Sequence, residues 1–258
     1  MVTIKDGLIV FNVSDNKANY SQRNNQYKWF NSAYDNQLVF GKVTAATMCN
    51  VTSLCMALDY AGYKFPTEGD DKYPQPEDRL AKFIMESKDV DRFYKEKMPA
   101  MYADYKAGKK GCYTPNEIHA VLAYAVNQWL GTSADTFRTD ISISEMKDII
   151  INKTLPIVIS GCFAGLNHII NLVGFAFAAT PEAIKDCNNA DYIPFVCGTY
   201  PVVNVIYDDP YGKTGEYDKN LSGNDVYVPY DKFISDVKPL GNAAMKWGHV
   251  LKTPAAII

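Results

Sequence analysis

The stretch from Met48 to Gly62 constrains this chain more than any other. On a 3.6-residue period Val51, Leu54, Cys55, Leu58 and Ala61 fall on one face, which predicts a buried helix of about three turns. Gly62 follows as a residue able to take the positive φ that often closes a helix. Cys49 stands at the N-terminal edge of this helix. Backbone N–H groups are unpaired there and the helix dipole is positive, so a thiolate is favoured at that place. Cys55 points into the apolar face, where a cysteine acts as a small hydrophobe. The pattern alone leaves Cys49 open between a nucleophile and a core residue.

The length of 258 residues gives ample chain for a core, and the reading is a single domain over 1–258. Hydrophobic residues at 47% and charged residues at 21% are those of an ordinary globular protein. A net charge of −3 leaves no basic footprint for nucleic acid. No apolar run reaches the length of a membrane span. Gly7 to Phe11 is too short and wrongly flanked for a signal peptide and reads as a strand. Synthesis in a cytoplasm without an export signal is therefore expected. Six cysteines (49, 55, 112, 162, 187 and 197) are too sparse for a disulfide scaffold, and no CxxC or His-rich spacing suggests zinc. Reduced thiols are expected, with no metal or cofactor. The sequons at Asn12, Asn50, Asn152 and Asn220 read as chance matches, since one lies in the helix that should be buried.

After the first strand, residues 19–27 read as an ordered polar loop and 28–47 continue without regular pattern. Asp78 to Glu96 has helical spacing, with Leu80, Phe83, Ile84 and Ser87 on one side. Thr114-Pro115-Asn116-Glu117 carries an N-cap, a proline at the first helical position and a capping-box glutamate. It opens a helix with Ile118, Val121, Leu122, Ala125 and Trp129 on its buried stripe, and Gly131 ends it. Ser142 to Glu145 repeats the capping box and opens a helix to Asn152. From Leu155 the pattern becomes β-branched, with strands at 156–160, 168–175 and 202–207 and an insertion over 178–199. Helices over 49–152 followed by an antiparallel sheet over 153–258 give an α+β fold.

Three histidines are present. His119 and His249 read as structural. His168 opens an apolar strand straight after a tight turn, so its ring can stand at a sheet edge facing a cleft. Asp209 ends the next strand, and Pro210 behind it fixes the turn. The order Cys49, His168, Asp209 supplies a nucleophile, a base and a carboxylate to set the base's tautomer. Asp218 to Asp225 matches the first half of a calcium loop, but Pro229 stands where a bidentate glutamate belongs, which argues against calcium.

Tyr20-Ser21-Gln22-Arg23-Asn24, Cys49-Asn50-Val51-Thr52-Ser53-Leu54, His168 to Gly174 and Asp209-Pro210-Tyr211-Gly212 together resemble the C39-like cysteine peptidase family. The resemblance spans residues 20–212 and implies a papain-like fold. It implies Cys49 as nucleophile, His168 as base, Asp209 as orienting carboxylate and Gln22 as side-chain donor of an oxyanion hole. Papain-like enzymes place that glutamine much closer to the cysteine, where Val43 stands here; Gln22 lies 27 residues before Cys49 and Gln37 is nearer. Residues 19–25 must then fold back against the Cys49 helix. The Ser-Gln-Arg-Asn and Cys-Asn-x-Thr-Ser pieces are similar to domains of bacterial and phage cell-wall lysins. That implies an endolysin-type peptidase or amidase acting on the peptides of the bacterial wall and released by a separate phage pore. The competing expectations are a cysteine protease acting on protein substrates and a papain-like binding domain with an inert cysteine.

Overall fold

The computed structural model describes residues 2–14, 17, 19–27, 35–39, 42–45, 48–67, 72–109, 115–163, 166–178, 180, 198–212, 222–237 and 246–254. Two N-terminal strands, β1 (Val2–Lys5) and β2 (Leu8–Asn12), precede a single 3-10 turn at Gln22–Asn24. A hairpin of β3 (Asp35–Val39) and β4 (Lys42–Ala45) leads to α1 (Cys49–Tyr60). Then follow α2 (Pro76–Glu86), α3 (Lys88–Lys97), α4 (Pro99–Lys106), α5 (Pro115–Leu130), β5 (Asp135–Ile141) and α6 (Ile143–Asn152). The C-terminal part holds β6 (Ile157–Phe163), β7 (Leu166–Ala178), β8 (Val202–Asp208), β9 (Val226–Pro229), α7 (Tyr230–Asp236) and β10 (Lys246–Leu251).

The α+β class is as expected, but the sheet draws on more of the chain than its C-terminal part. Eight strands run in the order β1-β2-β7-β6-β10-β5, with β8 paired to β7 and β9 to β8, every pairing antiparallel. β7 is long enough to serve several partners. One edge carries β6 along its first half and β2 along its second, while β8 takes the other edge. Residues 135–141, expected within a helical region, form the edge strand β5 instead. Its pattern Asp-Thr-Phe-Arg-Thr-Asp-Ile is polar except at Phe137 and Ile141, as an edge strand permits, and lacks the apolar alternation that marks a strand.

The helix over 78–96 is two helices. Ser87 takes an extended backbone (φ −71°, ψ 121°) and its hydroxyl accepts from Val90 N at 3.4 Å, capping α3. Residues 28–47 are not irregular throughout, since β3 and β4 lie within them. α5 and α6 lie where their signals put them: Ser142 Oγ accepts from Glu145 N at 3.1 Å, and Gly131 takes φ +65°. The cap expected at Thr114 and most of the insertion expected over 178–199 fall outside the described residues.

α1 is buried around its whole circumference rather than on one face. Val51, Leu54, Cys55 and Leu58 join a core with α2, α3 and α5. Met56 and Tyr60 pack on the other side against Val10, Val173 and Ile206 of the sheet. Polar side chains on such a helix need internal partners. Ser53 Oγ donates to Ile169 O at 3.2 Å, and Thr52 Oγ1 accepts from Asn25 Nδ2 at 3.0 Å. Each fully buried Leu or Val contributes roughly 1.5–3 kcal/mol, so α1 is held rigidly between the helices and the sheet. Among the described residues no helix is long and apolar enough to cross a membrane.

Candidate active site

Cys49 is the first residue of α1. No side chain caps this N-terminus and its first turn holds no acidic residue, so the positive end of the dipole stands uncompensated beside the thiol. Cys49 is half-buried, whereas Met48 before it is fully buried and seats the helix start in the core. Cys55 is fully buried, and burial first, then the nearby Glu77 carboxylate, pushes its thiol well above the ordinary range. Cys49, Cys55 and Cys162 carry free thiols.

His168 lies near the start of β7, opposite Gly161 of β6. Its Nε2 lies 2.6 Å from Asp209 Oδ1, which leaves Nδ1 for the Cys49 thiol that also hydrogen-bonds the ring. Burial works against a charged ring here. The hydrogen bonds to Asp209 and Cys49 and their charges outweigh it and raise His168 to about 10. The arrangement therefore favours the charged imidazolium of His168 through neutral pH. Tyr211 stands edge-on to the imidazole at 6.4 Å between ring centres. Its N–H donates to Asp209 Oδ1 at 2.7 Å, so one carboxylate oxygen serves both the ring and the turn.

The chain carrying Gln22 folds back onto this end of the molecule. Gln22 is buried, and its N–H donates to Pro210 O at 2.9 Å, in the turn that follows Asp209. Asn25 joins the same loop to Thr52, one turn along α1 from Cys49. The side chain of Gln37, the nearer glutamine, falls outside the described residues.

Sequence reading missed what seats this loop. Asp78, near the start of α2, accepts from Gln26 N at 2.9 Å and Tyr27 N at 3.0 Å. Burial raises its carboxyl and those two hydrogen bonds oppose the rise. Gln75 reaches Asn24 and Asn25 from the residue before α2. An acidic residue in the first turn of a helix is ordinary, so only the fold gives Asp78 its meaning.

His119 of α5 and His249 of β10 touch each other. His119 Nδ1 is 2.6 Å from His249 Nε2, and His249 Nδ1 is 2.6 Å from Asp135 Oδ2, all three residues being buried. Burial, then the neighbouring His249, holds His119 well below the usual histidine range. Among the described residues no group of His, Cys, Asp and Glu is arranged to hold a metal ion. Residues 218–221 of the acidic loop lie outside the described residues, and the Asp225 carboxylate is taken by Asn12 and Ser14.

The family model described as "Peptidase_C39 like family" matches residues 18–233, most of the chain, a span within which Gln22, Cys49, His168 and Asp209 lie. No curated protein and no solved structure gives a significant match.

Proposed function

The chain belongs to the C39-like peptidase family, hydrolytic peptidases of papain-like fold, and from that premise we propose that it is a thiol-dependent hydrolase of amide bonds. Cys49 Sγ attacks the scissile carbonyl carbon as a thiolate. The His168 imidazolium gives its proton to the leaving amine, and the neutral ring then takes a proton from the water that cleaves the thioester. Asp209 holds the ring by Nε2 so that Nδ1 faces the sulfur throughout. The Gln22 amide, with the Cys49 backbone N–H, donates to the oxyanion of each tetrahedral intermediate. The observation that carries this reading is one imidazole bonded to a thiol at a helix N-terminus on one side and to a buried carboxylate on the other.

The substrate we propose is the peptide part of bacterial peptidoglycan, either cross-links or stem peptides. Support comes from Ser21-Gln22-Arg23-Asn24 and Cys49-Asn50-Val51-Thr52-Ser53, which are similar to pieces of cell-wall lysin domains. The test is turbidity clearing of purified walls, followed by mass spectrometry of the fragments. New amino termini on released peptides are expected, with clearing abolished in Cys49→Ala. Intact walls alongside cleavage of an unfolded protein substrate would move the activity to protein; new reducing sugar ends would exclude amide hydrolysis.

A further inference from the structure

The turn bearing Asp209 is already closed by its own hydrogen bond, Gly212 N to Asp209 O at 3.1 Å. A second piece of chain nevertheless grips it. Asp209 N donates to Gly223 O at 2.7 Å. Asn19 Nδ2 donates to Asp209 O at 3.2 Å and to Ser222 O at 2.8 Å, so a single amide group bridges the two segments. Asp225 N donates to Asp208 Oδ1 at 2.6 Å, and Asp225 Oδ1 accepts from Asn12 Nδ2 at 2.6 Å and Ser14 Oγ at 2.9 Å. The segment is thus fixed at its far end to the N-terminal strands. Gly223 has φ +74°, and a Cβ placed there would lie 2.1 Å from Asp209 O, so only glycine allows this approach.

We infer that Ser222 to Asp225, with Asn19, forms a clamp that sets the Asp209 carboxylate against His168, making Gly223 and Asn19 positioning residues. The carboxylate follows its backbone because Oδ1 is bonded to Tyr211 N within the same turn. A movement of about 1 Å would take the 2.6 Å contact to His168 Nε2 out of hydrogen-bond range. The clamp rests on the reading of His168 and Asp209 given above.

The experiment is an NMR titration of the histidine ring protons in the full chain, with His168 assigned by substitution, alongside the pH profile of kcat/KM. Wild-type protein should show His168 titrating far above its ordinary value of about 6.5. Asn19→Ala and Gly223→Ala should each lower that midpoint by about one pH unit or more, because the carboxylate no longer holds the charged ring. The alkaline limb of kcat/KM should move with it, and kcat should fall while KM changes little. Circular dichroism establishes that each variant is folded; if Gly223→Ala is not, Asn19→Ala decides. Folded variants with the wild-type midpoint and limb would overturn the clamp. A wild-type midpoint near 6.5 would instead overturn the Cys–His–Asp reading, and the clamp with it.

Discussion

Cys49 and Cys55 lie on one helix in opposite electrostatic settings. Cys49 faces an uncapped N-terminus and an imidazole, whereas Cys55 is surrounded by core and nearby carboxylates that disfavour its thiolate. At pH 6 an unperturbed thiol, with a pKa of about 8.5, is almost wholly protonated. Iodoacetamide at that pH should therefore label Cys49 before Cys55 and the exposed Cys162. Peptide mapping that finds either of the others first sinks the assignment. His168→Ala should lower kcat by several orders of magnitude, and Asp209→Asn by less, because the first removes the base and the second only its orientation. Equal losses would mean that the carboxylate does more than hold the ring. These three residues were legible in the sequence because each sits at a marked place: a helix start, a strand start after a turn, and a strand end before proline. Gln22 had no such mark, and Asn19 and Gly223 acquire their roles only from chain some 200 residues away or a strand turn they happen to meet.

Elements whose periodicity is carried by burial could be read from the chain: α1, α5, α6 and the central strands β6 to β8. Those stabilised by position were not. β5 is a polar edge strand, and the α2–α3 break depends on one serine leaving the helical region. The fold also explains how a loop so far from Cys49 in sequence is brought to α1. Its seat is α2, through Asp78 and Gln75, and the Asp209 turn, through Pro210 O. If Gln22 supplies the oxyanion donor, Gln22→Ala should lower kcat by about 10²–10³, roughly 3 kcal/mol, with little change in KM. Asp78→Ala should move kcat in the same direction, since Gln26 and Tyr27 then lose their shared acceptor and the loop its seat. Steady-state kinetics on a wall peptide measures both. A Gln22→Ala enzyme with undiminished kcat would remove this residue from the oxyanion hole and leave the Cys49, His168 and Asp209 roles standing.

At the scale of the whole molecule, the Asp135–His249–His119 chain joins β5, β10 and α5 across the buried end of the sheet. A structural role for both histidines was legible in the sequence, but their contact was not, since 130 residues separate them. Its consequence is for stability against pH. His249 Nδ1 faces a carboxylate and its Nε2 faces His119 Nδ1, so His119 donates into the pair only while His249 keeps a lone pair there. A second proton on His119 would go to its Nε2 and leave a charged ring in a buried site beside His249. His119 accordingly stays neutral when folded, held low by burial and then by His249, while in the unfolded chain it takes up a proton near pH 6.5. The folded state then binds fewer protons, so this group costs nothing above about pH 6.5 and destabilises progressively below it, by up to about 1.4 kcal/mol per pH unit. Glu77 and Asp208 act in the opposite sense. Burial raises each to about 7, so the folded state takes up their protons first and gains stability as pH falls from there toward the ordinary carboxyl range. Total stability thus mixes both slopes, and only a comparison of variants isolates the histidine. His119→Asn keeps an amide N–H to donate to His249 and has no titration of its own. Urea unfolding at pH 7.5, 6.5 and 5.5 should show the variant less stable at pH 7.5, by about 1–3 kcal/mol for the lost packing. The deficit should narrow toward pH 5.5 as the wild type alone loses the His119 contribution. A deficit constant across the three pH values would mean that His119 takes up its proton inside the fold, and the relay would then carry charge rather than exclude it.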